Sequence, residues 1–237
     1  DAGQPLGPIR PLFPRRDAPA APPQAPTAPT AKATALSPLA APEPGRSPLE
    51  LRAAVVTKVE LHPSADRLYV LTLDVGSSGS RTVVAGLRPF YAADALVGRR
   101  VILLANLEPR TIRSVTSHGM VLAAEADDKV TLLVAPPTVG VGDVIEGERA
   151  DAPTIRFEEF TQRPIVVGLV VGTAGAEGAR VDIGEGRTVT VRGTWTSGQR
   201  VVVRLIGPDP TRAEVLAFDA SRPIESDPGM PPGARVR

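Results

Sequence analysis

Beyond Ser47 the chain falls into short runs rich in Leu and β-branched residues, separated at close intervals by Gly, Pro, Asp and Ser. Such runs predict strands, and their even punctuation predicts an all-β barrel or sandwich. The candidate strands are residues 52–61, 67–75, 81–85, 99–106, 119–124 and 129–134. Pro63-Ser64, Gly76-Ser77-Ser78-Gly79 and Asp127-Asp128 supply turns between them. Residues 90–97, closed by Gly98, predict one short helix between the third and fourth strands.

Five main strands with one helical insertion after the third is the order of an OB barrel. The region from Thr154 onward repeats this layout in reduced form. LTLDVGSSGSRTVVAG at 71–86 aligns with ARVDIGEGRTVTVRG at 179–193, LVGRRVILL at 96–104 with TSGQRVVVRL at 196–205, and VGVGDVI at 139–145 with MPPGARV at 230–236. Matches that keep order and spacing predict a degenerate tandem duplication. GEGR at 184–187 reads as a hairpin turn. Trp195, the single tryptophan, is expected to pack or cap a barrel end. The expected fold class is therefore all-β, an OB barrel followed by a second, degenerate OB-like β-barrel.

The N-terminal part differs in kind. Half of the 26 prolines precede residue 49, and residues 18–48 are dominated by Ala, Pro and Thr with no hydrophobic period. That composition predicts a disordered, semi-rigid linker. The expected organisation is residues 1–17 as the tail of a preceding domain, 18–48 as linker, 49–150 as the first barrel and 151–237 as the second. Net charge is +1 and no segment is broadly basic, which excludes a charge-only nucleic-acid binder. Yet between Arg81 and Arg113 six arginines stand against only Asp94 and Glu108, so a local basic face is expected.

No cysteine is present and the two histidines, His62 and His118, are far apart, so no metal site of the usual kinds is expected. Cofactors are not expected either. No apolar run approaches the ~20 residues of a membrane span and no signal-peptide layout opens the chain, which together predict a cytoplasmic protein without membrane contact. A Walker-type loop, a nucleophile elbow and the HIGH and KMSKS signatures of class I synthetases are all absent. The chemistry expected here is recognition, with guanidinium groups on phosphates and an amide on a base edge.

Three signatures carry that expectation further: HPSADRLYVLTLDVG at 62–76, RTVVAGL at 81–87 and NLEPRTIRSVTSHGMVLAA at 106–124. Together they resemble the tRNA-binding OB module appended to methionyl-tRNA synthetases and also found as a free-standing tRNA-binding protein. The resemblance covers residues 51–148 and implies tRNA as partner. It implies contact or shaping roles for Asn106, Arg110, Arg113, Ser117 and Met120, with Arg67 standing where the family often has Lys. His62, Pro63 and Asp66 are expected to be architectural and to hold Arg67 toward the groove, with Gly86 and Gly119 as structural glycines. PLFPRR at 11–16 resembles the segment that ends the helical domain of these synthetases, with Arg16 in place of an apolar residue.

The reading that follows is a non-catalytic C-terminal extension of a methionyl-tRNA synthetase, with aminoacylation, if any, residing in an upstream body. Modules of this family commonly dimerise, so either a homodimer or an intramolecular pseudo-dimer of the two barrels is expected. The alternatives are a free-standing RNA or protein chaperone and a structural assembly module built on the same barrel.

Overall fold

The computed structural model describes residues 48–175, 178–206, 213–226 and 229–237. The predicted residues 1–17 and most of the linker lie outside them. The first repeat contains β1 (Leu51–Leu61), β2 (Tyr69–Asp74), β3 (Ser80–Ala85), helix α1 (Ala93–Leu96), β4 (Arg100–Leu104), β5 (Arg110–Ile112), β6 (Val115–Ser117), β7 (Met120–Val121), β8 (Ala123–Ala126) and β9 (Lys129–Leu132). After helix α2 (Phe157–Thr161) the second repeat contains β10 (Ile165–Thr173), β11 (Gly178–Asp182), β12 (Thr188–Arg192), β13 (Arg200–Leu205), β14 (Ala213–Val215) and β15 (Arg235–Val236). The expected strands are present. The segment after β4, read in the sequence as a connection, is instead a hairpin of β5 and β6. Residues 66 and 67 form a turn, so β2 opens at Tyr69 rather than at Arg67.

The first barrel is a sheet in the order β3-β2-β1-β4-β7. It closes because β6 and β7 run continuously past β3 and β4. The His118 N–H donates to the Thr82 carbonyl at 2.8 Å, while β7 pairs with β4 through Leu103–Val121 and Leu104–Met120. In the second barrel the corresponding strands run β12-β11-β10-β13-β14. Residues 183–187 form the predicted turn between β11 and β12, with the Ile183 N–H donating to the Arg187 carbonyl at 3.0 Å. Trp195 packs half-buried against the second core, its indole N–H donating to the Arg192 carbonyl.

The duplication is visible bond by bond. Both first strands break register at the same place, after Val56 and after Val170. The Gly98 N–H donates to Val56 O at 2.8 Å, and the Gly198 N–H donates to Val170 O at 2.8 Å. The Gly142 N–H reaches Ala53 O and the Gly233 N–H reaches Val167 O, again both at 2.8 Å. Asp74 accepts the Gly76 N–H as Asp182 accepts the Gly184 N–H.

The two repeats pack through an extended apolar layer. Leu51, Ala53, Ile102, Leu104, Leu122 and Leu133 of the first meet Ile165, Val167, Val202, Leu216, Ile224 and Val236 of the second. Alternate residues of the same strands fill the barrel interiors, Ala54, Val56, Val101 and Leu103 in one and Val166, Val170, Val201 and Val203 in the other. The central strands are therefore buried on both faces. That explains why LRAAVV, RVILL and RVVVRL are continuous apolar runs rather than alternating ones.

Candidate nucleic-acid interface

The β5–β6 hairpin pairs Arg110 with Ser117, Thr111 with Thr116 and Ile112 with Val115, which leaves Arg113 and Ser114 as a two-residue loop. Their φ values are 46° and 90°, so both lie in the left-handed region, as a type I′ turn requires. Asn-Gly usually fills such a loop. A non-Gly residue held there costs on the order of 1–3 kcal/mol and persists only where its surroundings fix it.

Those surroundings come from the β1–β2 loop. The Ser64 hydroxyl donates to the Arg113 carbonyl at 3.0 Å, and the Arg113 guanidinium donates back to the Ser64 carbonyl at 3.3 Å. The His62 ring, 5% exposed, sits beneath this contact. The Ser64 N–H donates to Nδ1 at 3.2 Å, so the neutral ring carries its proton on Nε2, which donates to the Ile112 carbonyl at 3.0 Å. The loop of the first signature thus grips the hairpin tip of the third.

The base of the hairpin is tied to the second signature. Ser117 is buried; its hydroxyl accepts the Val84 N–H and donates to the Gly119 carbonyl, both at 3.0 Å. Gly119 has φ +131° and a Cβ there would stand 2.7 Å from the Leu104 carbonyl oxygen, so the chain needs glycine at this crossing. Gly86 is different. It is exposed, and an added Cβ would make only an ordinary 3.8 Å contact with Leu68.

The residues singled out in the sequence separate by exposure. Arg67, Arg110 and Arg113 are exposed on the loop and hairpin, and among the described residues Arg67 and Arg110 have no polar partner. Asn106 is buried, with its amide fully engaged. Its Oδ1 accepts the Glu50 N–H at 2.9 Å, and its Nδ2 donates to the carbonyls of Pro48 and Pro153, each at 2.7 Å. Met120 is half-buried against the layer between the repeats. Pro63 is exposed, and Asp66 forms a loose surface pair with Arg88 at 3.8 Å rather than capping the loop.

Most arginines of the basic stretch are also committed elsewhere. Arg81 donates to the Ala105 carbonyl at 2.6 Å, Arg100 donates to that of Val139 at 2.5 Å, and Arg99 lies 5.2 Å from the Tyr91 ring centroid. The basic face narrows to the hairpin and its neighbouring turn. The sequence reading missed Ser64 as a partner of this hairpin. A usable signal was the mirrored T-I-R-S-V-T of residues 111–116, which pairs like with like around a two-residue loop.

The site is a convex rim rather than a pocket. A concavity of about 790 Å³ is lined by Phe157, Phe160, Arg163, Ile183 and Pro231 together with Glu125 of the first repeat, and includes no residue of the three signatures. Among the described residues no group of three or more His, Cys, Asp or Glu side chains could hold a metal ion, and no helix is long and apolar enough to cross a membrane.

A barrel of this strand order belongs to the OB class of folds. Residues 51–144 match the family described as "Putative tRNA binding domain". The chain is 44% identical over 96 residues to a methionine–tRNA ligase of Pyrococcus furiosus and 48% identical over 104 residues to one of Treponema pallidum. Those matches take in 40% and 42% of this chain but only 13% and 12% of the ligases. A solved C-terminal domain of Plasmodium vivax p43 shares the fold at 22% identity and a TM-score of 0.51, over 80% of this chain and 97% of that one.

Proposed function

We propose that the chain is a non-catalytic appendage of a methionine–tRNA ligase, and that the rim built by the β1–β2 loop and the β5–β6 hairpin binds tRNA. Arg67, Arg110 and Arg113 face phosphates; Asn106, Ser117 and Met120 keep the rim in shape. The observation that carries this reading is the exposed hairpin, whose Arg110 has no polar partner among the described residues and whose Arg113 gives only one long bond, to the Ser64 carbonyl, while neighbouring arginines serve the fold. The first barrel, residues 49–150, holds the rim. The second, residues 151–237, occupies the surface through which modules of this family would otherwise dimerise.

The contribution is one of binding rather than chemistry. Tethering a weak, shape-selective tRNA binder to a catalytic body raises the local tRNA concentration there. Apparent affinity for tRNA falls when the module is removed, and the chemical step is unchanged.

The test is binding of unfractionated tRNA to the chain over a salt series, with Arg110→Ala/Arg113→Ala alongside. Loss of two phosphate contacts lowers the salt slope by roughly one to two units. An unchanged slope and affinity in the double variant would remove the hairpin from the interface. No binding at low salt would favour an assembly role instead.

A further inference from the structure

The two repeats provide an internal comparison for the clamp around the hairpin tip. In the first repeat, residues 62–68 join β1 to β2 and residues 105–119 lie between β4 and β7. In the second, residues 174–177 join β10 to β11 and residues 206–212 join β13 to β14, and no histidine occurs in either. The long loop and the hairpin are therefore present together in one repeat, and both are replaced by shorter connections in the other. The loop and the hairpin of the first repeat form one device, joined by the bonds of Ser64 with Arg113 and of His62 with Ile112.

Within that device, His62 is the only side chain that bonds both to the loop and to the hairpin strand. Its Nδ1 accepts from Ser64 and its Nε2 donates to Ile112, the residue before the left-handed pair Arg113-Ser114. Ser64, oriented by that bond, donates to the Arg113 carbonyl. We infer that His62 is a positioning residue for RNA recognition: through Ser64 and Ile112 it holds the Arg113-Ser114 turn in its left-handed conformation, so that the Arg113 guanidinium is presented to phosphate before RNA arrives. This rests on the tRNA reading above.

The physical reason is preorganisation. A flexible arginine must lose conformational freedom on binding, and a strained two-residue loop released from its clamp relaxes toward ordinary backbone geometry. His62 makes its two contacts from opposite ring nitrogens, and only the Nε2–H tautomer satisfies both. An apolar ring of similar shape fills the space and makes neither bond. Asparagine retains an acceptor toward Ser64 and loses the donor toward Ile112.

The experiment compares the full chain with its His62→Phe, His62→Asn and Arg113→Ala variants and with the His62→Phe/Arg113→Ala double variant. One readout needs no RNA: backbone amide relaxation of Arg113 and Ser114 by NMR. The expected result is a loosened turn in His62→Phe, an intermediate one in His62→Asn, and dispersed, native-like spectra elsewhere in the barrel. The second readout is affinity for unfractionated tRNA. His62→Phe weakens it about three- to tenfold in the parent background and by less than about twofold when Arg113 is already alanine, because the two lost hydrogen bonds act through that side chain. A turn that stays rigid in His62→Phe overturns the inference, and so does an equal loss of affinity in both backgrounds. Arg113→Ala binding tRNA as tightly as the parent would instead sink the reading on which it rests, while the relaxation data still decide whether His62 holds the turn.

Discussion

Val134 and Glu225 exchange two backbone hydrogen bonds, each 3.0 Å long, and they occupy the same place in the two repeats. The preceding residues show the equivalence, since the Leu133 N–H donates to Leu122 O as the Ile224 N–H donates to Leu216 O, both at 3.0 Å. A reciprocal pair between equivalent residues marks an approximate two-fold axis. The relation extends outward, for the Glu146 N–H donates to Ala217 O as the Arg237 N–H donates to Ala123 O, both at 2.9 Å. This is the isologous geometry of a symmetric dimer, made here within one chain.

A surface satisfied internally has no need of a second chain. Leu133 and Ile224, both fully buried, lie in this layer. Sedimentation of the chain at micromolar concentration is therefore expected to give the mass of a monomer, 24.7 kDa. A mass that doubles with concentration would contradict the internal two-fold as the end point of assembly.

The layer between the repeats also contains a buried charge. Arg204, on β13, pairs with Glu148 of the first repeat and with Glu214 of β14 at 2.7 Å, and it is 9% exposed. Removing one partner of such a group strands the other in a poorly solvated place, at a cost of about 3–5 kcal/mol. Arg204→Ala is expected to lower the denaturant midpoint of both repeats together. Replacing the whole set with apolar residues would cost far less. A second, separate unfolding transition in Arg204→Ala would show that the repeats are not cooperatively joined.

One carboxylate gives the molecule an acid dependence. Asp219 accepts the Ser221 N–H and hydroxyl, each at 2.8 Å, and the Arg222 guanidinium at 2.6 Å, and these contacts hold its pKa at about 2 rather than 3.8. The backbone bond from Ser221 is the largest cause. Because the folded value is depressed, the stabilisation is fully present above the ordinary carboxylate range and disappears as pH falls through about 2. Arg222 also reaches the Thr138 carbonyl at 3.2 Å, so loosening of this turn releases a strap to the first repeat. NMR titration of the Asp219 carboxyl should show its midpoint near 2, and Asp219→Asn should flatten the acid dependence of resonances near Thr138. An ordinary midpoint would mean that the turn does not hold in solution.

How much of this could be read from the chain depends on range. Strands, turns and the tandem repeat were legible because their signals are local: β-branched runs, Gly-rich turns and conserved spacing between the halves. The two-sided burial of β1, β4 and β13 is written in their continuous apolar runs, but what covers the second face is a contact between segments a hundred or so residues apart, which no local pattern states. The β5–β6 hairpin escaped notice because Arg113-Ser114 is a poor type I′ signature. Its geometry is imposed by His62 and Ser64, about fifty positions earlier. The family resemblance implied contact or shaping roles for Asn106 and Ser117. Their burial depends on Pro48, Pro153 and Val84, partners that become neighbours only in the folded chain.

Asn106 offers the sharpest separation of framework from contact. Its amide joins the start of β1, the end of β4 and the connection at Pro153, and Asn106→Ala leaves the Glu50 N–H buried without its acceptor. That stranded group alone costs about 1–3 kcal/mol, and the two lost donor bonds add to it. Thermal unfolding of Asn106→Ala is therefore expected to shift downward by several degrees. At a temperature where the variant is still folded, its affinity for tRNA should stay within about twofold of the parent, whereas Arg110→Ala should show the reverse, unchanged stability and weakened binding. A folded Asn106→Ala that loses tRNA tenfold would place the amide in the interface after all, and the hairpin arginines would then share recognition with a group that must first leave its buried bonds.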